Sequence, residues 1–111
     1  FYRHDPQEGA DTVVISYGVT SRAARVAVDR ARQRGRKVSL LVLQTLFPVP
    51  ERILREAMAG VRQIVVPEMN MGQYINEIGR LAPADARVVG VNRMDTTLIA
   101  PDEIAQQGEF A

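Results

Sequence analysis

Glu68, Asn70 and Gln73 are spaced two and three residues apart in Val65-Val66-Pro67-Glu68-Met69-Asn70-Met71-Gly72-Gln73-Tyr74. The Asn70 and Gln73 amides could donate to a carbonyl or phosphate, Glu68 could serve as a general base or a ligand-binding carboxylate, and the bare Gly72 backbone allows close approach. As an acid–base set it is incomplete, because a lone carboxylate has no second acid and no base beside it. The plainer alternative has Asn70 cap a helix and Gly72 relieve crowding, while Glu68 binds backbone amides or an arginine of another domain. Met69 and Met71 flank Asn70; each suits either docking to another domain or filling the core beneath a helix.

Gly18, Thr20 and Ser21 form a second candidate. Gly18 frees the backbone, and a helix opening at Thr20 or Ser21 offers unpaired N–H groups and a partial positive end. Such a corner can hold a phosphate or carboxylate. Gly18 nevertheless stands outside any G-x-G-x-x-G or P-loop pattern, so a tight turn into a capped helix accounts for it as well.

Composition narrows the chemistry. Fourteen basic and thirteen acidic residues nearly cancel, which argues against a dedicated nucleic-acid binder. The arginines at 22, 25, 30, 32, 34 and 36 read as a solvated helix face rather than a phosphate-tracking patch. There are no cysteines, so disulfides, thiolate chemistry and cysteine-ligated clusters are absent from these residues. The single histidine, His4, lies in a polar stretch, a poor start for a metal site or a Ser-His-Asp triad. No run approaches the ~20 apolar residues of a membrane span. The chain begins at Phe1 without a leader pattern, which reads as a piece cut from a longer, cytoplasmic polypeptide.

These loops need a frame. Thr12 to Tyr17 is a β-branched run of the kind buried on both sheet faces. A helix follows with Ala24, Ala27, Val28 and Ala31 inward, ending at Gly35. The second strand is Lys37 to Gln44. Thr45-Leu46-Phe47-Pro48-Val49-Pro50 then stops it, and Pro50 opens a helix through Glu51, Ile53, Leu54, Ala57 and Met58. Leu46 and Phe47 either seal against a neighbour or fold back over their own helix. The third strand is Arg62 to Val66, with Pro67 ending it. A helix from about Gly72 to Leu81 buries Ile75, Ile78 and Leu81, and a fourth strand spans Ala86 to Val91. A short helix lies near Pro101–Gln106. This alternation predicts one α/β domain over residues 12–111, a three-layer α/β/α sandwich whose parallel sheet has order 2-1-3-4. Residues 1–11 read as a linker. The switch point between strands 1 and 3 puts Gly18–Ser21 beside Glu68–Gln73.

Taken in order, Tyr17-Gly18, Ser21-Arg22-Ala23-Ala24, Ala27-Val28, Gly35-Arg36-Lys37-Val38, Thr45-Leu46-Phe47-Pro48-Val49-Pro50 and Val66-Pro67-Glu68-Met69-Asn70-Met71-Gly72-Gln73 are familiar. The chain resembles the C-terminal domain of the α subunit of 2-oxoacid:ferredoxin oxidoreductases of the 2-oxoglutarate type. The resemblance runs from about residue 12 to residue 107, and Glu-Met-Asn-Met-Gly-Gln is its specific part. It implies a transketolase C-terminal-like fold, a five-stranded sheet with an antiparallel edge strand of which residues 1–11 would hold the remnant. It implies membership of an enzyme, likewise oligomeric, that makes acyl-CoA, carbon dioxide and reduced ferredoxin from a 2-oxoacid and coenzyme A. Thiamine diphosphate, magnesium and an iron–sulfur cluster would sit elsewhere in that enzyme, so this domain would be non-catalytic. Its implied partners are the rest of the α subunit and the β subunit, with neither nucleic acid nor membrane. The competing reading is a stand-alone α/β module that binds a nucleotide or CoA-like ligand at the strand 1/strand 3 crevice. A receiver domain ranks below both, since Tyr17-Gly18 and Glu68 do not supply its acidic cluster and aspartate.

Overall fold

The apolar runs become strands and the three-four-spaced runs become helices. The computed structural model describes residues 2–18, 20–44, 46–68, 73–92, 99–108 and 110. The elements are β1 (Tyr2–Asp5), β2 (Thr12–Tyr17), α1 (Thr20–Gln33), β3 (Val38–Leu43), α2 (Glu51–Met58), β4 (Gln63–Glu68), α3 (Gln73–Leu81), β5 (Arg87–Asn92) and α4 (Pro101–Gln107). The sheet order is β1-β3-β2-β4-β5. Strands β2 to β5 are parallel, and β1 adds antiparallel to β3 with Tyr2 opposite Leu43 and Asp5 opposite Leu40. The expected parallel order is therefore present, and Tyr2–Asp5 supplies the antiparallel edge.

Side chains alternate between two cores. Val13, Ile15, Leu41, Leu43, Ile64 and Val66 pack under α2 and α3. Val14, Val38, Leu40, Val65 and Val91 pack under α1 and α4. Burial on both faces explains why β2 and β3 read as continuous apolar runs. Ala24, Ala27 and Ala31 carry the buried stripe of α1, and their small size lets the helix lie close to the sheet.

The edge strand is pinned by charge rather than by a core. Arg25 Nη1 donates to Asp5 Oδ2 at 2.5 Å and Arg32 Nη1 to the same oxygen at 3.0 Å. Arg32 also donates to the carbonyls of Asp5 and Val38. On the opposite flank, Arg30 pairs with Asp102 of α4 at 3.2 Å. Three arginines of the cluster read as a solvated face thus tie α1 to its neighbours.

One boundary differs from expectation. Pro67 does not end the third parallel strand; β4 runs through it to Glu68, with Pro67 opposite Val91 and Glu68 opposite Asn92. The reason is directional. The ladder between β2 and β4 covers only Thr12–Val14 against Gln63–Val65. A residue's N–H and C=O point to the same side of a strand, and the Pro67 carbonyl points to Thr20 on the β2 side. The missing N–H therefore falls where the ladder has already ended.

Candidate functional site

The crevice is built where β2 and β4 part. Gly18 has φ of 63°, a left-handed conformation, and nothing within 4 Å of where a Cβ would stand. The turn geometry, rather than crowding, requires glycine there. Its carbonyl accepts from the Ser21 amide at 3.1 Å, and α1 begins at Thr20.

Thr20 and Ser16 are buried, 3% and 0% exposed, so their hydroxyls need partners within the fold. Thr20 Oγ1 lies 2.8 Å from the Tyr17 carbonyl and 3.1 Å from that of Pro67. Its single proton serves one or both of these. Ser16 Oγ lies 3.4 Å from Thr20 Oγ1 and donates to Ser21 Oγ at 3.0 Å. This hydroxyl chain ties the ends of both central strands to the first turn of α1. The only histidine, His4, sits on β1 opposite Leu41 and two strands away from β2, about 10 Å by strand spacing. It is too far away to act as a base on these hydroxyls.

Of the other predicted residues, Glu68 is the last residue of β4 and Gln73 the first of α3, both at the carboxyl end of the sheet. Asn70, Met71 and Gly72 lie outside the described residues, as does Met69. The backbone therefore brings Gly18, Thr20 and Ser21 to the same end as Glu68 and Gln73. Among the described residues, no group of three or more histidine, aspartate or glutamate side chains could hold a metal ion. No described helix is long and apolar enough to cross a membrane.

The same end carries an aromatic tier that sequence reasoning did not assemble. Tyr74, on the first turn of α3, is 3% exposed. Tyr17 meets it edge-on at 5.6 Å between ring centroids and 65° between planes, and Phe47 at 5.9 Å and 88°. The Tyr74 hydroxyl donates to the Leu46 carbonyl at 3.3 Å. Burial, helped by the Glu77 carboxylate, pushes the Tyr74 phenol up to about 12. Leu46 turns inward against the core, whereas Phe47 is 67% exposed. The two halves of that loop therefore do different things. A signal for Tyr74 was available, since positions 74, 78 and 81 share one helix face.

Chemically, the described crevice offers hydroxyls already engaged inside the fold, and the same end of the sheet carries a displayed phenylalanine on a buried tyrosine.

Comparison with known proteins supplies the remaining observations. Residues 10–104 match the family described as pyruvate:ferredoxin oxidoreductase core domain II. The chain is 38% identical over 104 residues to 2-oxoglutarate synthase subunit KorA of Methanothermobacter marburgensis, covering 90% of the chain and 28% of that subunit. It is 40% identical over 100 residues to ketoisovalerate oxidoreductase subunit VorB of the same organism, with the same coverage. Among solved structures, 2-oxoglutarate:ferredoxin oxidoreductase from Magnetococcus marinus, with 2-oxoglutarate, coenzyme A and succinyl-CoA bound, superposes with a TM-score of 0.83. The identity is 23%, over 98% of this chain and 19% of that one. Transketolase from Campylobacter jejuni superposes with a TM-score of 0.61 at 9% identity, over 99% and 17%. These two likenesses show the fold. The chain spans 28% of the length of the KorA and VorB relatives.

Proposed function

The chain belongs to the pyruvate:ferredoxin oxidoreductase core domain II family, and on that premise we propose that it is a non-catalytic domain of a 2-oxoacid:ferredoxin oxidoreductase α subunit. In this reading the complete enzyme oxidatively decarboxylates a 2-oxoacid, 2-oxoglutarate in the first instance, to an acyl-CoA. The domain organises contacts with the rest of the α subunit and with the β subunit, inside the cytoplasm.

Thiamine diphosphate, magnesium and iron–sulfur clusters would supply the carbon and electron chemistry of such an enzyme. The residues here do not fit them. The chain has no cysteine for a cluster, and the described acids and histidine do not converge on a metal position. In this reading those groups sit in other parts of the assembly.

Phe47 carries the proposal. It is an aromatic side chain left two-thirds exposed at the carboxyl end of the sheet, backed by a buried tyrosine. Aromatic side chains that are rigidly supported and still open to solvent are typical anchors of protein interfaces. The carboxyl end of the sheet, with Gly18, Ser21, Phe47 and the element ends at Glu68 and Gln73, is where sister domains would dock, and Asn70, Met71 and Gly72 join the proposal from the sequence alone. Similarity of 38% and 40% to subunits named for two different oxoacids supports a role that is indifferent to substrate.

The test is co-purification. The chain should assemble with the missing α-subunit segment and the β subunit, and Phe47→Ser should weaken that assembly while leaving the fold intact. Turnover by the chain alone would overturn the proposal.

A further inference from the structure

The two edges of the sheet are unlike. β1 is four residues long, carries Arg3, His4 and Asp5 in succession, and is clamped through Asp5 by Arg25 and Arg32. A short, charged edge of this kind is guarded against pairing with a foreign strand. β5 lies at the other end of the strand order and runs six residues, Arg87-Val88-Val89-Gly90-Val91-Asn92, with Arg87 its one charge. Among the described residues, no strand pairs with its outer side.

One bond fixes which backbone groups β5 turns outward. The Arg87 amide donates to the Arg62 carbonyl at 2.8 Å, so Arg87 faces β4. Successive residues of a strand turn their N–H and C=O to alternate sides. Val89 and Val91 therefore face β4 as well, and the N–H and C=O of Val88, Gly90 and Asn92 point away from the sheet. Val88, Val89 and Gly90 are partly exposed, whereas Val13, Val14 and Ile15 of the central strand are fully buried. At Gly90 that exposure is backbone, because the residue has no side chain. A glycine inside a strand often marks a place where another backbone comes close.

We propose that β5 pairs antiparallel with β5 of a second copy of this chain, about a two-fold axis at Gly90, so that two five-stranded sheets become one continuous sheet. A two-fold contact requires a strand complementary to itself. This strand meets that condition. Gly90 lies opposite Gly90 of the other copy, and Val88 of each copy opposite Asn92 of the other, so every outward N–H finds a C=O. An axis moved to Val89 would leave Asn92 unpaired. Val89 of each copy stands beside Val91 of the other, an apolar cross-strand pair. The two Arg87 charges fall at opposite ends of the joint, where parallel pairing would set them side by side. The inference rests on the sheet edge and does not require the assembly reading above, which concerns the carboxyl end.

The test is sedimentation velocity of the 111-residue chain from about 10 µM to about 1 mM, since a contact one strand wide is small and associates weakly. The expected result is a monomer that becomes a dimer as concentration rises. Hydrogen exchange at the two ends of that range should slow at least about fivefold at high concentration for the Val88 and Gly90 amides, while the Val89 and Val91 amides, already bonded to β4, change little. Val88→Pro removes one outward donor at a position where an edge strand tolerates proline, and, with its fold checked by its amide spectrum, it should stay monomeric. Phe47→Ser should dimerise like the parent. A monomer at every concentration, a dimer without slowed exchange at Val88 and Gly90, or a dimer that Phe47→Ser abolishes and Val88→Pro does not would overturn the proposal.

Discussion

Thr20 Oγ1 sits 3.1 Å from the carbonyl oxygen of Pro67, joining the start of α1 to the end of β4 across forty-seven residues of sequence. The two central strands separate at that point, and one buried hydroxyl spans the gap.

Thr20→Val keeps the shape and removes the hydroxyl. It leaves the Pro67 carbonyl and Ser16 without that partner in a buried site, at a cost of about 1–3 kcal/mol. Thr20→Ser should recover most of the loss. Denaturant titration of the two variants against the parent chain checks this; equal stability of Thr20→Val and the parent would refute the bridge.

Asp5 tests the edge strand. The Arg25 hydrogen bond, reinforced by Arg32, holds its carboxyl below the ordinary range against the opposing effect of burial. A lowered folded pKa stabilises the charged form. The contribution is therefore fully present above the unfolded value near 3.8 and is lost as pH falls through the lower folded value. Asp5→Asn should cost on the order of 1 kcal/mol at neutral pH for so exposed a network. The difference between the two stability curves should be flat above about pH 5 and shrink below it. A gap that widens on acidification would contradict the assignment.

Tyr74 has the opposite sign. Its phenol is raised to about 12 by burial, so folding favours the neutral form. That stability is complete below about pH 10 and drains away as pH rises toward 12. Near neutrality the parent should exceed Tyr74→Phe only by the bond to the Leu46 carbonyl, and as pH rises from about 10 toward 12 it should fall below the variant, which has no phenol to ionise. Absorbance titration of the phenolate checks the ionisation directly.

Gly108 closes the C-terminal helix onto the sheet. A Cβ there would stand 2.6 Å from the Ile104 carbonyl oxygen and 2.9 Å from Val65 Cγ1. The Gly108 carbonyl also accepts from the Gln63 side chain. Gly108→Ala should cost about 1–3 kcal/mol through overpacking. Thermal unfolding checks it; an unchanged midpoint would mean that α4 shifts freely.

Much of this frame is legible in the residues themselves. Thr12–Tyr17 and Val38–Leu43 read as strands because burial on both faces leaves an unbroken apolar run. Ala24, Ala27, Val28 and Ala31 betray the inner face of α1 by their spacing. Pro67 misleads, since whether a proline ends a strand depends on which neighbour its missing N–H would face, a tertiary fact. The Asp5 clamp is illegible for a similar reason: a four-residue strand carries no period, and its partners lie 20 and 27 residues away. At the site, the meeting of Gly18–Ser21 with the Glu68 end of β4 follows from strand order alone. The Tyr17–Tyr74–Phe47 tier joins the end of a strand, the first turn of a helix and a loop, so no local pattern announces it. Residues 69–72, where Asn70, Met71 and Gly72 lie, fall outside the described residues.

The central claim is that the Phe47 rim docks sister domains and performs no chemistry. Its most direct test is light scattering of the chain co-expressed with the remaining α-subunit segment and the β subunit, comparing the parent with Phe47→Ser. Because Phe47 is two-thirds exposed, the variant should lose less than about 1.5 kcal/mol of its own stability, yet its complex should dissociate at concentrations where the parent's persists. A Phe47→Ser chain that assembles as tightly as the parent would contradict the account.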